Sequence, residues 1–358
     1  MARLARRKAG MERNSCLVGD IGATYTRFAP ATAHGIGKLK VYQTKDFESI
    51  QSAIEHYLRE TEHRFESAAF AAAGPVSDGK VSLVNAAWSF SKSELQEAFK
   101  FQDVLLFNDF EAVAMAIPGI LSKFEHDNPR QDQRRPGRDL RKIGGGIRIP
   151  GDPMGVMGPG TGLGVAGLVR APDGHWITLA GEGGHTTMPS VTNEESEVLN
   201  LLRLRWGHVS AERVLSGAGL ADLYLCLCLL HGIKARPLKD AQKITQGAFE
   251  ADLADPLCVG AFNLFCSMLG TVAGNVALTF GAKGGLFISG GILPRYSDQF
   301  IASPFRTRFE AKGRLSAYVS AIPTYLVLHN APALQGLVDL LAQRSAATRH
   351  ESTDGAEA

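Results

Sequence analysis

At 358 residues, with 45% hydrophobic and 21% charged residues, the chain has material for about two domains and is expected to be folded and soluble. A formal net charge of +2 is too near zero to argue for nucleic acid or a membrane surface as the main partner. The cysteines Cys16, Cys226, Cys228, Cys258 and Cys266 form neither an even set nor a metal-ligand spacing, and most lie in apolar runs, which predicts reduced core residues in a cytoplasmic protein.

Residues Met1 to Asn14 carry Arg3, Arg6, Arg7, Lys8 and Arg13, and 1–13 reads as a disordered basic leader, because Asp20 interrupts the apolar run behind it before a signal-peptide core forms. Cys16-Leu17-Val18 predicts a strand. The small-residue turn Gly19-Asp20-Ile21-Gly22-Ala23-Thr24 follows, and a returning strand begins at Thr26. Ser49 to Glu60 has helical spacing with Ile50, Ile54, Tyr57 and Leu58 on its apolar side, and Ala68 to Ala73 reads as a buried strand stopped by Gly74-Pro75. Val81 to Val84 predicts a further strand. Ser91 and Glu94 fit a capping box, opening a helix from Lys92 to about Lys100. Val104 to Phe107 is the next strand. It ends at Asn108-Asp109-Phe110, where Asp109 is a natural N-cap for a short helix, Glu111 to Ile117, closed by Pro118.

Ser122 to Pro153 is polar, basic and rich in glycine and proline, and reads as a solvated connector. In Gly158-Pro159-Gly160-Thr161-Gly162-Leu163-Gly164, glycines alternate between two apolar strands. Positive φ and a missing Cβ let successive N–H groups converge there on an anion such as phosphate; a plain hairpin turn is the ordinary alternative. Gly164 to Val169 should pair with Trp176 to Leu179 across Ala171-Pro172-Asp173-Gly174, a plan like the amino-terminal hairpin that suggests internal duplication. Thr192 and Glu195 form a capping box for a helix whose early acids and late Arg203 and Arg205 suit the helix dipole. A helix from Leu220 to His231 stops at Gly232.

Pro256 to Ala282 carries no charge and is long enough to span a bilayer, with Gly270 and Gly274 at small-xxx-small spacing. Asn263, Asn275 and the lack of an aromatic belt favour a buried helix from about Leu257 to Phe280 instead. Leu286 to Ile288 is a strand closed by Ser289-Gly290-Gly291-Ile292. Tyr325 to Leu328 and a helix from Ala333 to Gln343 complete the fold, and 346–358 has the composition of a disordered tail.

Three glycine turns, each capping an apolar strand, suggest one nucleotide held between two lobes. No G-x-x-x-x-G-K-[ST] occurs, and Leu163 stands where G-x-G-x-x-G needs its last glycine, so neither a P-loop nor a dinucleotide fold is indicated. Asn108 and Asp109 lie at the carboxyl end of a strand, the edge where open α/β sheets place ligands. In Gly181-Glu182-Gly183-Gly184-His185 the carboxylate and imidazole also permit metal ligation, but no further His or Cys stands at ligand spacing. Glu212, which should begin a helix, adds another acid. Acids, an amide and a histidine suit a polyhydroxylated ligand, whose hydroxyls both give and accept hydrogen bonds.

From about Cys16 to Gln343 the chain resembles the bacterial-type glucokinase family of sugar kinases, within the actin and hexokinase superfamily. The resemblance is carried by LVGDIGAT, LLFNDFEAVAMAIP, MGPGTGLGVAGLV, LAGEGGH, GHVSAERVLSGAGL and GGLFISGGILPR, in the family's order. It implies a two-lobed, actin-like (duplicated ribonuclease H-like) α/β fold. The small lobe would be 14–119 plus 330–345 and the large lobe 120–329, with glucose and ATP meeting in the cleft, and a homodimer. By the same resemblance Asp109 matches the catalytic base, Asn108 a sugar ligand, and Glu182, His185 and Glu212 sugar-hydroxyl ligands. Asp20 matches the acid near Mg2+, acting through water. Gly19, Gly22, Thr24, Gly160, Thr161 and Gly162 match phosphate-lining positions, with Gly290 and Gly291 near the adenosine.

Two departures stand out. Gly22-Ala23-Thr24-Tyr25 replaces the family's Gly-Gly-Thr-Asn, which puts a methyl group into the first phosphate turn and removes an amide, and the 122–153 connector is longer than usual. The expected activity is phosphorylation of glucose on its 6-hydroxyl, the entry step of glycolysis. A kinase for another hexose or an acylated hexosamine, and a non-catalytic sugar-responsive regulator, are the alternatives.

Overall fold

The computed structural model describes residues 16–32, 35–83, 87–128, 137–238 and 240–354, with side chains described up to residue 344. The basic leader, Val84 and the middle of the connector lie outside the described residues. The chain divides into two compact units, Met1–Gly119 with Ala331–Ala358, and Ile120–Asn330.

The first unit is built on β1 (Cys16–Ile21), β2 (Tyr25–Thr32), β3 (Gly35–Ile36), β4 (Lys40–Gln43), α1 (Ile50–Thr61), β5 (Ser67–Ala72), β6 (Val76–Ser77), β7 (Lys80–Ser82), β8 (Ser89–Ser91), α2 (Lys92–Phe99), β9 (Asp103–Asn108) and the start of α3 (Asp109–Asp127). Its main sheet runs β3-β2-β1-β5-β9, with β4 also on β2; β6 to β8 form a separate small sheet. β1 is antiparallel to β2 and parallel to β5, which is parallel to β9. Side chains alternate between the faces. Leu17 and Ile21 join Phe28, Ile50, Ile54 and Tyr57 on one side. Cys16 and Val18 join Ala29, Ala112, Leu334 and Leu337 on the other.

The second unit contains β10 (Leu140–Ile143), β11 (Met154–Pro159), β12 (Leu163–Arg170), β13 (Trp176–Gly181), α4 (Asn193–Trp206), α5 (Ala211–Val214), α6 (Gly217–Leu230), α7 (Ala241–Phe249), α8 (Pro256–Phe280), β14 (Gly285–Ile288), α9 (Phe305–Glu310) and β15 (Thr324–Val327). The sheet order is β10-β15-β14-β11-β12-β13. β11, β12 and β13 are antiparallel neighbours, and β11, β14 and β15 run parallel. This repeats the first unit's plan of an antiparallel meander continued by two parallel strands, as the duplicated hairpins suggested.

Several expectations need correction. Pro118 does not close a short helix: α3 continues through it to Asp127. The buried Ile117, Ile120, Leu121 and Phe124 carry the apolar stripe past the proline, and their burial outweighs its missing N–H. The connector is not wholly solvated. It contributes β10 to the sheet, where buried Lys142 donates to Gly146 O at 2.7 Å. The last helix is longer than expected, Pro332–Asp354, and so runs on into the stretch whose composition reads as a tail.

α8 is 25 residues long and apolar enough to cross a membrane, but 72% of its most apolar window is buried in protein. It packs against α6, α7 and α9. Its glycines seat α9 within the same unit: a Cβ on Gly270 would lie 2.3 Å from Phe305 O, and one on Gly274 would lie 2.7 Å from Phe309 O.

Buried Glu195 completes the capping box at Thr192 and accepts from Val191 N at 2.6 Å, while its carboxylate meets Arg308 Nη2 at 2.8 Å. Arg308 also donates to Thr271 Oγ1 at 3.1 Å, so one ion pair joins α4, α8 and α9. Arg308→Met should therefore lower the unfolding free energy in urea by about 3–5 kcal/mol, by leaving the carboxylate buried without its cation. Adding Glu195→Gln should return part of the loss; no recovery in the double variant would show that the pair is not coupled.

Candidate active site

Parallel register sets the first group of residues. Ile21, Ala72 and Asn108 are direct neighbours across β1, β5 and β9. The segments that follow them, Gly22 to Thr24 and Asp109, therefore emerge at one sheet edge, about 10 Å apart with one strand between.

Asn108 Oδ1 accepts from Phe110 N at 2.9 Å and Glu111 N at 3.3 Å, and its Nδ2 donates to Gly74 O at 3.2 Å. Asn108, not Asp109, is thus the cap of α3. Asp109 is the helix's first residue, partly exposed, where the helix dipole favours a carboxylate. The C-terminal helix backs this turn closely, since a Cβ on Gly336 would lie 1.7 Å from Ala112 O.

The first glycine turn stays closed despite Ala23 and Tyr25. Gly22 N donates to Tyr25 O at 3.1 Å, Thr44 Oγ1 to Gly22 O at 2.7 Å, and Thr44 N to Thr24 O at 3.0 Å. The Tyr25 side chain is exposed and Thr24 lies beside it at the surface. Gly19 is needed for space, since its Cβ would meet the Phe70 ring at 2.7 Å. Asp20 Oδ2 accepts from Arg27 Nη1 at 2.7 Å. Burial pushes the Asp20 carboxyl above its usual range, and the Arg27 guanidinium opposes that shift.

In the second unit, β11 and β12 meet at Gly160-Thr161-Gly162. None of these takes positive φ, so the expected reason for the glycines fails there; what they supply is room. At Gly160 a Cβ would meet nothing within 4 Å, whereas at Gly162 it would lie 2.4 Å from Glu212 Oε2. Of the third turn's glycines, Gly290 does take a positive φ of 127° and its Cβ would lie 2.2 Å from Pro159 O; Gly291 faces open space.

The acids and the histidine stand on a short backbone zipper. Met188 N donates to Val209 O at 3.0 Å and Ala211 N to Thr186 O at 2.8 Å, with Thr187 Oγ1 and His208 Nε2 3.0 Å apart at its side. His185 Nε2 consequently lies 3.8 Å from Glu182 Oε2 and 3.9 Å from Glu212 Oε1. Glu212 Oε2 accepts from Leu163 N at 2.9 Å, and Gly217 N donates to Gly160 O at 2.9 Å. Arg213 stacks on Trp206 at 3.9 Å and holds α5 against the end of α4.

Among the described residues no group of three or more His, Cys, Asp or Glu could hold a metal ion. A cation held by substrate phosphates, with one carboxylate reaching it through water, fits Asp20, whose Oδ1 is outside the Arg27 pair.

The glucokinase family model matches residues 17–344. The chain belongs to the glucokinase family. It is 45% identical to a glucokinase of Nitrobacter hamburgensis over 90% of this chain and 96% of that one. It is 42% identical to a glucokinase of Neisseria gonorrhoeae, over 89% and 92%. A solved glucokinase from an Antarctic psychrotroph superposes with a TM-score of 0.76 at 37% identity, over 93% of this chain and all of that one. The fold is accordingly that of the actin-like sugar kinases.

Sequence reasoning passed over Thr44, Arg27, Gly336 and the Leu163 amide. Thr44 and Gly336 carry no local signal, because their partners lie far along the chain. Arg27 was legible as the cross-strand neighbour of Asp20, its partner in the β1–β2 register.

Because the folded-state pKa of Asp20 lies above the unfolded value of about 3.9, folding takes up a proton there between the two values. The Asp20 contribution is most favourable below the unfolded pKa and falls away as pH rises through the folded pKa, opposite to a carboxylate whose pKa is depressed. Asp20→Asn should make the slope of stability against pH more positive in urea titrations run upward from about pH 4. An unchanged slope would contradict the assignment.

Proposed function

We propose that this glucokinase-family chain transfers the γ-phosphoryl group of ATP to the 6-hydroxyl of glucose, giving glucose 6-phosphate and ADP at the entry to glycolysis. The activity class follows from family membership. The observation that carries the residue roles is the shared sheet edge, where Asp109 follows β9 and the closed glycine turn follows β1, with Ile21, Ala72 and Asn108 in register between them.

In this reading the two compact units are the small and large lobes. Asp109 accepts the proton of the 6-hydroxyl as that oxygen attacks the γ-phosphorus in line, and the bond to the β-phosphate oxygen breaks. Asn108 holds Asp109 in place by capping α3 and offers its remaining amide hydrogen to the sugar. Glu182, His185 and Glu212 take further sugar hydroxyls. The carboxylates accept, and the imidazole gives or accepts according to its tautomer.

Gly19, Gly22, Thr24, Gly160, Thr161 and Gly162 stand at the two hairpins proposed to line the phosphates; Gly22 N and Gly160 N are spent inside their own turns, on Tyr25 O and Gly162 O, so these two glycines supply room rather than donors. Gly290 and Gly291 lie by the adenosine, where Gly291 opens on free space. Magnesium, when bound, neutralises phosphate charge, and Asp20 would hold it through water. The buried, unpaired thiols of all five cysteines support a cytoplasmic location. A homodimer is proposed from the family resemblance.

An ATP-coupled assay with glucose, mannose, fructose and N-acetylmannosamine tests the reading: glucose should be the best substrate, and sugar binding without ADP release would contradict it. Asp109→Asn should fold and still bind glucose by calorimetry, while kcat falls by about 10²- to 10⁴-fold. Near-normal turnover in that variant would remove Asp109 from the role of base.

A further inference from the structure

We infer that Gly162 is a positioning residue for the sugar: its missing side chain and the neighbouring Leu163 amide fix the carboxylate of Glu212. This rests on the assignment of Glu212 to the sugar made above. The glycines at the β11–β12 tip all look alike in sequence, and all were read there as approaching phosphate. Their surroundings separate them. The Cβ direction of Gly160 opens on space, as a ligand-facing glycine requires.

That of Gly162 points at Glu212, with Oε2 at 2.4 Å, the carboxyl carbon at 3.2 Å and Cγ at 3.9 Å. Gly162 has no positive φ, so the backbone itself would accept alanine; it is the carboxylate that excludes a methyl group. That same oxygen accepts the Leu163 N–H at 2.9 Å. The carboxylate is therefore divided, with Oε2 fastened to the hairpin and Oε1 turned to the side where His185 Nε2 lies 3.9 Å away. A methyl group at Gly162 would displace Oε2, break the Leu163 bond and rotate Oε1 away from the position a sugar hydroxyl needs.

Glucose and ATP saturation curves for Gly162→Ala, Gly160→Ala and Glu212→Ala test this. Gly162→Ala should raise KM for glucose about tenfold or more, the scale of one charge-assisted hydrogen bond, with KM for ATP within about twofold of the parent. Gly160→Ala should do the reverse, raising KM for ATP and sparing glucose. A glucose KM unchanged in Gly162→Ala, or KM for both substrates rising together, would overturn the inference while leaving the proposed function intact. If Glu212→Ala itself left the glucose KM unchanged, the assignment beneath it would fall, and the inference with it.

Should Gly162→Ala not fold, the pair Gly162→Ala/Glu212→Asp keeps the question open to measurement, because withdrawing the carboxylate by one methylene makes room for the methyl. Its glucose KM should be no worse than that of Glu212→Asp alone. A double variant that also fails to fold, or whose KM is the product of two independent defects, would contradict the steric account.

Discussion

The second unit depends on backbone and carboxylate atoms packed so closely that no Cβ fits between them. A Cβ on Gly184 would lie 2.0 Å from Leu163 O, one on Gly162 would lie 2.4 Å from Glu212 Oε2, and one on Gly290 would lie 2.2 Å from Pro159 O. These approaches let the β11–β12 hairpin touch the Glu182–His185 loop, α5 and the turn after β14 at once. Overpacking at such points costs about 1–3 kcal/mol or more. For the proposed sugar site, a displacement of one ångström would be enough to break a hydrogen bond to a ligand atom. These parts brace one another, and no single contact holds them.

The first unit solves the same problem differently. There the parallel register of β1, β5 and β9 fixes the spacing, and side chains finish the work: Thr44 ties down the glycine turn and Asn108 caps α3. The duplicated plan thus carries two styles of sheet edge, one made mainly by strand register and one by close-packed backbone.

Much of this was legible in the sequence, and the failures have physical causes. The capping boxes at Ser91 and Thr192 are where pattern placed them, because a cap is a contact between residues three apart. The glycine turns were found, but positive φ explains only Gly290 among the proposed site glycines, and the side chains that leave no room for a Cβ at Gly19 and Gly162, Phe70 and Glu212, are remote in sequence. Asp109 was read as an N-cap when Asn108, one residue earlier, does that task; local pattern cannot separate two adjacent capping residues. Pro118 was given more weight than the buried stripe around it. The polar connector hid β10, whose Lys142 is buried because a backbone carbonyl receives its ammonium. Composition described α8 as a possible membrane span, and only its tertiary neighbours show that Gly270 and Gly274 serve a helix of the same unit.

The most direct test of the account is a crystal structure of the full chain with glucose and a non-hydrolysable ATP analogue. The account predicts the Asp109 carboxylate within hydrogen-bond distance of the 6-hydroxyl, and Glu212 presenting Oε1 to another hydroxyl while Oε2 stays on the Leu163 amide. A sugar bound with its 6-hydroxyl away from Asp109, or a Glu212 released from the hairpin to reach it, would contradict it.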